Sequence, residues 1–376
     1  MAAASPVTMT SGQLALRTSI QKVATGPEYS KDLSYAEAHA AMQQILLETA
    51  DPVQIAVFFI ALRMKRETND ENKGVLQAII DSAAIVQAPV DEVLDIGDPY
   101  DGHARGLPMA AFIPAVMASL GVPTVCHGLD SVGPKYGVTH RRILKTLGVD
   151  VELTPQAAAQ RLGKTHIGWA YLDQKMYAPH LHNLVGLRAR IVKRQVLTTV
   201  EVLVGPIRGR KQTHLLTGYV HKAYPSIYSE LARFAGFDSA MVVRGVEGGV
   251  IPSLQQPAKL YSYQNKGMEV EEEIDPKLLG IEQTTRAVPI PKDTTKTPSA
   301  GDDIASAFDV DAVAVNAAQA GMEALQGKPG PARDALIYAA ALCLRHLGRA
   351  ADLPSAAAMV RAVLDSGKAL AHFKGV

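Results

Sequence analysis

Two short segments carry side chains whose types and spacing suit phosphate chemistry. The first is Asp95-Ile96-Gly97-Asp98-Pro99-Tyr100-Asp101-Gly102. Val93-Leu94-Asp95-Ile96 reads as a strand, so Gly97 opens a loop at a strand's carboxyl end. Parallel sheets bind ligands at that edge, and a glycine-containing loop ahead of a helix turns backbone amides toward an anion. Asp98 and Asp101 suit a hard divalent cation bridging to phosphate oxygens. They equally suit a turn whose aspartates cap the next helix. The second segment is Cys126-His127-Gly128-Leu129-Asp130-Ser131-Val132-Gly133-Pro134-Lys135-Tyr136-Gly137, at the end of the next strand. His127 and Lys135 suit a phosphorylated ligand there, and the three glycines permit close backbone approach. A lone histidine is more often structural, but this one falls on the same sheet edge as the first loop.

Further candidates are less specific. Arg188, Arg190, Lys193 and Arg194 are followed by Arg208, Arg210 and Lys211. Such a strip suits a phosphate or a nucleic-acid backbone, with salt-dependent affinity, or else a solvated helix face. His166, His180, His182, His214 and His221 are scattered, and no His-Glu-x-x-His arrangement exists, so no zinc site is expected. One of the close pair His180 and His182 could serve an acceptor pocket. Cys126 has no assignable base and reads as a small buried residue.

These segments need a sheet to hold them, and the chain has the length and composition for one. Its 376 residues are 47% hydrophobic and 20% charged, which excludes disordered and fibrous classes. A formal charge of +1 means that any polyanion is recognised by a local patch rather than a global field. Two cysteines exclude a disulfide framework and point to a reducing cytoplasm, and the start Met1-Ala2-Ala3-Ala4-Ser5 lacks the pattern of a signal peptide. The uncharged stretch 107–126 is interrupted by Pro108, Pro114, Gly121 and Pro123, so a buried helix and strand are expected rather than a membrane span.

After a polar extension over 1–32, three helices announce themselves by their caps. Ser34 with Glu37 and Thr68 with Glu71 form capping boxes, and Asp51-Pro52 supplies an N-cap with a first-turn proline. The first helix has Ala38, Ala41, Met42, Ile45 and Leu46 on its apolar face. The second repeats Val53, Ala56, Val57, Ile60 and Met64 at helical spacing. From residue 92 the period changes to strand, loop, helix and strand, a βαβ unit that requires a parallel sheet. Further helices are expected at 140–147, 154–162, 226–235, 310–326, 331–346 and 355–371, and strands at 122–126, 166–172, 215–220 and 240–244. The segment 269–303 reads as irregular. The fold class is α/β: a small N-terminal α-helical subdomain over 33–88, joined by a later helical segment, and a large α/β domain over 89–376 with a mainly parallel central sheet.

The motifs resemble those of anthranilate phosphoribosyltransferase and its paralogues, within the class that includes thymidine and pyrimidine nucleoside phosphorylases. Cys126-His127-Gly128-Leu129-Asp130-Ser131 is similar to that family's Lys-His-Gly-Asn-Arg segment, and Val204-Gly205-Pro206 to its Leu-Gly-Pro turn. Gly330-Pro331-Ala332-Arg333-Asp334 and Asp365-Ser366-Gly367-Lys368-Ala369 also resemble it. The similarity spans about residues 33–371. It departs at the phosphate loop, Gly-Thr-Gly-Gly-Asp-Gly in the family. Here Pro99 removes an amide donor, and Tyr100 adds bulk where backbone should meet pyrophosphate. Cys126 and Leu129 replace the family's Lys and Asn. Where an Asp-Glu pair is expected, Arg244-Gly245-Val246-Glu247 leaves one carboxylate.

The resemblance implies pentosyl transfer from a phosphoribosyl diphosphate-like donor to a small-molecule acceptor other than anthranilate. Gly97, Asp98, Asp101, Gly102, His127, Gly128, Ser131 and Lys135 would frame the donor, Arg188 and His180 would meet the acceptor, and Glu247 with Asp101 could hold Mg²⁺. No organic cofactor is expected, and a homodimer is. The competing reading is a non-catalytic paralogue that binds nucleic acid or another polyanion through the basic cleft. The altered loop favours it, whereas the neutral total charge and the lack of an aromatic stacking platform count against it.

Overall fold

The computed structural model describes residues 9–26, 28–297 and 305–376. Helices α1 (Ser11–Val23), α2 (Tyr35–Leu46), α3 (Pro52–Lys65) and α4 (Asn69–Ser82) open the chain. Both expected capping boxes form: the Ser34 and Thr68 hydroxyls accept from the amides of Glu37 and Glu71, whose carboxylates answer the cap amides. Asp51 accepts from the amides of Val53 and Gln54. Gly74 lets α4 lie against α2, because a Cβ there would come within 2.5 Å of Tyr35 O.

Two expectations change in this region. Of the polar extension expected over 1–32, residues 1–8 and 27 lie outside the described ones, and the rest contains a helix. Thr10 and Gln13 form a further capping box, α1 packs on α2, and Leu16 and Val23 are buried. In α3 the buried side is Ile55, Phe58, Phe59 and Leu62, while Val53, Val57 and Met64 are 70%, 41% and 77% exposed. The helix is apolar on nearly every face, so its spacing alone could not select the inner one, and the side carrying two phenylalanines won the larger burial.

The sheet has seven strands: β1 (Glu92–Gly97), β2 (Thr124–Gly128), β3 (Trp169–Asp173), β4 (Gln212–Gly218), β5 (Ser239–Val243), β6 (Ala258–Tyr263) and β7 (Val270–Ile274). Their spatial order is β3-β2-β1-β4-β5-β6-β7. The first five are parallel, and the last two add antiparallel at one edge. The edge hairpin was not expected, and β7 lies inside the stretch read as irregular; residues 298–303 of that stretch lie outside the described ones. The last expected helix is two, Leu353–Asp365 and Lys368–Lys374, separated at Gly367 with φ +74°.

Each face of the sheet has its own core. One packs against Pro331–His346 and its neighbours, and the other against the N-terminal helices. The segment after β3 returns to that bundle: Val185–Ile191 lies on α3 and Leu197–Val200 on α4. This brings the helices over the carboxyl ends of β1 and β4. A Cβ on Gly97 would sit 2.7 Å from Val202 O. No described helix is long and apolar enough to cross a membrane.

Candidate functional site: a basic, tyrosine-lined cleft

At the end of β1 the chain turns sharply. Gly102 adopts φ +72°, and a Cβ there or on Gly137 would strike the opposite strand segment, because Gly137 N bonds Asp101 O at 2.9 Å and His103 pairs with Val138. This close pairing carries Lys135 to the loop. Lys135 Nζ lies 3.2 Å from Asp101 Oδ1, and Arg194 Nη2 donates to Asp101 Oδ2 at 3.0 Å. Lys135 Nζ also reaches Glu247 O at 3.3 Å. The Glu247 carboxylate accepts from the amides of Ala104 at 3.0 Å and Arg105 at 2.8 Å.

Asp98 points the other way. Its Oδ1 accepts from Val250 N at 2.9 Å and its Oδ2 lies 2.8 Å from His103 Nε2, so it ties the loop to the turn after β5. His140 Nε2 is 3.2 Å from the same oxygen but off the hydrogen-bonding direction, which leaves both of its buried ring nitrogens unbonded. Burial alone would raise the Asp98 pKa, yet His103 and His140 hold it far below the usual carboxylate range. Burial works against a charged His103, but the Asp98 carboxylate overrides it and raises the imidazole.

Tyr100 does not crowd the phosphate loop as expected. It turns inward, its hydroxyl 2.5 Å from His127 Nδ1 and 2.6 Å from the Tyr177 hydroxyl, while His127 Nε2 meets Asp95 Oδ1 at 2.7 Å. All four side chains are buried. Burial raises both phenols well above their ordinary pKa, so they keep the protons this chain requires. His127 is therefore a buried pillar rather than a donor contact. Gly128 is buried facing Tyr171, and Ser131 is half-buried outside the cleft wall.

Between the helices and the sheet edge lies a cleft with about 730 Å³ of atom-free space, its open mouth included. Gly97, Asp101, Lys135 and Glu247 line it, so the structure gathers these four candidates. It adds residues that sequence reasoning missed. Tyr219 and His221 follow β4, Tyr224 and Tyr228 stand one turn apart on the helix Tyr224–Phe234, and Arg63 lies in the last turn of α3. The Arg63 guanidinium donates to the Tyr224 hydroxyl at 2.7 Å, and the Tyr224 and Tyr228 rings lie 5.8 Å apart. The expected lack of an aromatic platform is thus corrected: Tyr219, Tyr224 and Tyr228 line this cleft together. The i, i+4 pair after a strand end was the legible signal.

The acceptor expectations are corrected as well. Arg188 is buried and holds Glu201 through two 2.7 Å bonds, so its guanidinium faces the interior. His180 is exposed and pairs with Glu48 at 2.9 Å on the helical side. The basic strip divides too. Arg208 is bonded to Val204 O and Ala235 O, Arg210 and Lys211 pair with Asp91 near the start of β4, and only Arg194 enters the cleft.

A helical bundle set over the carboxyl edge of a mainly parallel sheet, with a cationic cleft between them, defines a two-part α/β class of protein. Residues 17–83 match the profile "Glycosyl transferase family, helical bundle domain", and residues 109–321 match "Glycosyl transferase family, a/b domain". The chain belongs to this glycosyl transferase family, as an anthranilate phosphoribosyltransferase-like member. It is 29% identical over 337 residues to the anthranilate phosphoribosyltransferase of Erythrobacter litoralis, covering 90% of this chain and 93% of that one. It is also 29% identical over 267 residues to an uncharacterized protein of Aquifex aeolicus, covering 71% and 79%. The Saccharomyces cerevisiae anthranilate phosphoribosyltransferase in complex with PRPP and Mg shares the fold with a TM-score of 0.73 at 16% identity, covering 96% and 97%. The Thermus thermophilus enzyme gives 0.69 at 19%, with the same coverage.

The magnesium that this family implies can be tested against the residues present. Both oxygens of Asp101 face cations and both of Glu247 accept from amides, so a metal at either carboxylate would compete with contacts already made. Among the described residues no group of three or more His, Cys, Asp or Glu side chains converges for a metal.

Proposed function

We propose that the cleft binds a phosphate-backboned, base-bearing ligand, namely single-stranded nucleic acid, in place of a magnesium diphosphate donor. The observation that carries this reading is the pairing of Lys135 and Arg194 with a wall of Tyr219, Tyr224 and Tyr228 in one cleft, where the two acidic residues are already satisfied. Cations track a phosphate backbone and tyrosines stack bases of any sequence. Lys193 and Lys222 adjoin the cleft residues Arg194 and His221 in sequence, are exposed, and form no ion pair with a described residue, so they extend the positive rim. The test is calorimetric titration with a short DNA oligonucleotide at two salt concentrations, beside phosphoribosyl diphosphate with and without Mg²⁺. Salt-sensitive oligonucleotide binding without a magnesium-dependent donor response supports the reading; the reverse overturns it.

A second reading, pentosyl transfer to an acceptor other than anthranilate, is favoured by the place of Gly97, Asp101 and Lys135 at the carboxyl edge that the family's fold uses. It requires a ligand or metal to take Asp101 from its two cations, and it leaves the acceptor without the Arg188 contact. Magnesium-dependent binding of the donor would select it.

We further infer a homodimer. Val53, Val57 and Met64 form an exposed apolar stripe on α3, with exposed Leu47 beyond the end of α2, and water-facing apolar patches of this kind mark interfaces. Cys126 and Cys343 are both free and buried, which suits the reducing cytoplasm proposed for the protein.

A further inference from the structure

The structure assigns Lys135 and Arg194 as a metal-independent phosphate clamp in which the Asp101 carboxylate is a resident counter-ion that an incoming phosphate displaces. The inference deepens the strand-binding reading by naming where a phosphate sits and what it replaces. Two cations face one carboxylate here, Lys135 at 3.2 Å and Arg194 at 3.0 Å, so one positive charge is left over. A terminal phosphate near its second ionisation carries almost two negative charges and three acceptor oxygens, and it balances the pair better than a carboxylate does.

The site is also able to open. Asp101 and Lys135 are buried, but the Arg194 side chain is 40% exposed and follows Val192, which holds the left-handed φ of +68°. The guanidinium can therefore move without unpacking a core. A second observation points to a ligand rather than a plain ion pair. Thr198 lines the same cleft with its Oγ1 withdrawn from solvent and no hydrogen-bond partner, a polar atom that an incoming group would satisfy. Lys135 and Arg194 together supply the charge that a divalent ion would bring to a diphosphate, and the two carboxylates that would have held such an ion are engaged.

The experiment is isothermal titration of the full chain with inorganic phosphate and with ribose 5-phosphate, in EDTA and in Mg²⁺. Binding in EDTA that magnesium changes less than about twofold is expected, and Arg194→Gln weakens it about tenfold, as loss of one charge-assisted contact does. Asp101→Asn tightens it several-fold, because the competing carboxylate is gone. A metal ligand would behave in the opposite way, so a magnesium requirement, or lost phosphate binding in an Asp101→Asn protein that still melts cooperatively, overturns the clamp. Should Asp101→Asn not fold, the EDTA comparison on the parent and the exposed Arg194→Gln decide alone. A parallel oligonucleotide titration separates the two ideas. Phosphate binding in EDTA without oligonucleotide binding refutes only the strand reading, and oligonucleotide binding indifferent to Arg194→Gln refutes only the clamp.

Discussion

The Tyr100 hydroxyl lies 2.5 Å from Nδ1 of His127. One residue comes from the altered phosphate loop and the other from the end of β2, and together they anchor that loop to the core through Asp95 on one side and Tyr177 on the other. The tyrosine that interrupts the glycine-rich pattern is thus a support for the loop rather than an obstruction in the cleft.

Tyr100→Phe removes that support and keeps the ring. It leaves His127 Nδ1 and the Tyr177 hydroxyl without their partner, at a cost of about 1–3 kcal/mol in stability. Urea unfolding measures it, and an unchanged midpoint would show that the buried chain contributes nothing. Phosphate affinity should change much less than for Arg194→Gln.

Arg188→Ala should damage folding and not ligand recognition. Breaking a buried pair by removing one partner costs about 3–5 kcal/mol, since Glu201 is left charged in the interior. A variant with parent-like stability and selectively lost ligand affinity would return Arg188 to the cleft.

The Asp98–His103 pair makes stability depend on pH in both directions. Asp98 titrates below its ordinary 3.8, so its contribution is full above that value and lost on acidification through the folded pKa. His103 titrates above its ordinary 6.5, so its contribution is full below that value and lost as pH rises through the folded pKa. The pair therefore stabilises most between these limits. Thermal melts of the parent and of Asp98→Asn across pH should show the widest gap between these limits and a narrower one on either side, and a constant gap would contradict the assignment.

Oligonucleotide affinity should fall with salt at a log–log slope of about −0.7 per neutralised phosphate, so three or four contacts give roughly a 20- to 50-fold loss between about 50 and 200 mM. Tyr224→Ala should weaken binding by about 1–3 kcal/mol through lost stacking while leaving that slope unchanged. A changed slope with intact affinity would reverse the roles of ring and charge.

Val57→Glu on the exposed stripe of α3 should convert a dimer to a monomer in sedimentation equilibrium, with the melting temperature of the isolated fold little altered. A parent that already sediments as a monomer would remove the homodimer proposal.

Much of the architecture was legible because its signals are local. The boxes Ser34 with Glu37 and Thr68 with Glu71 satisfy amides three residues away, and the change from helical to strand period at residue 92 marks the start of β1. The cleft's position followed from the same logic, since the ends of parallel strands share one edge and Gly97, Asp101 and Lys135 lie on it. What the chain alone left open were choices among equivalents. Nearly every face of α3 is apolar, and only packing chose the side with Phe58 and Phe59. Arg188 and Arg194 are six residues apart and alike in type, yet one is sealed against Glu201 and the other reaches Asp101, 93 positions away. Arg63 finds Tyr224 across 161 positions. A side chain's charge and ring are written in its own residue, whereas its partner, and with it the difference between a buried pillar and a ligand contact, is set by which distant segments the fold brings within three ångströms.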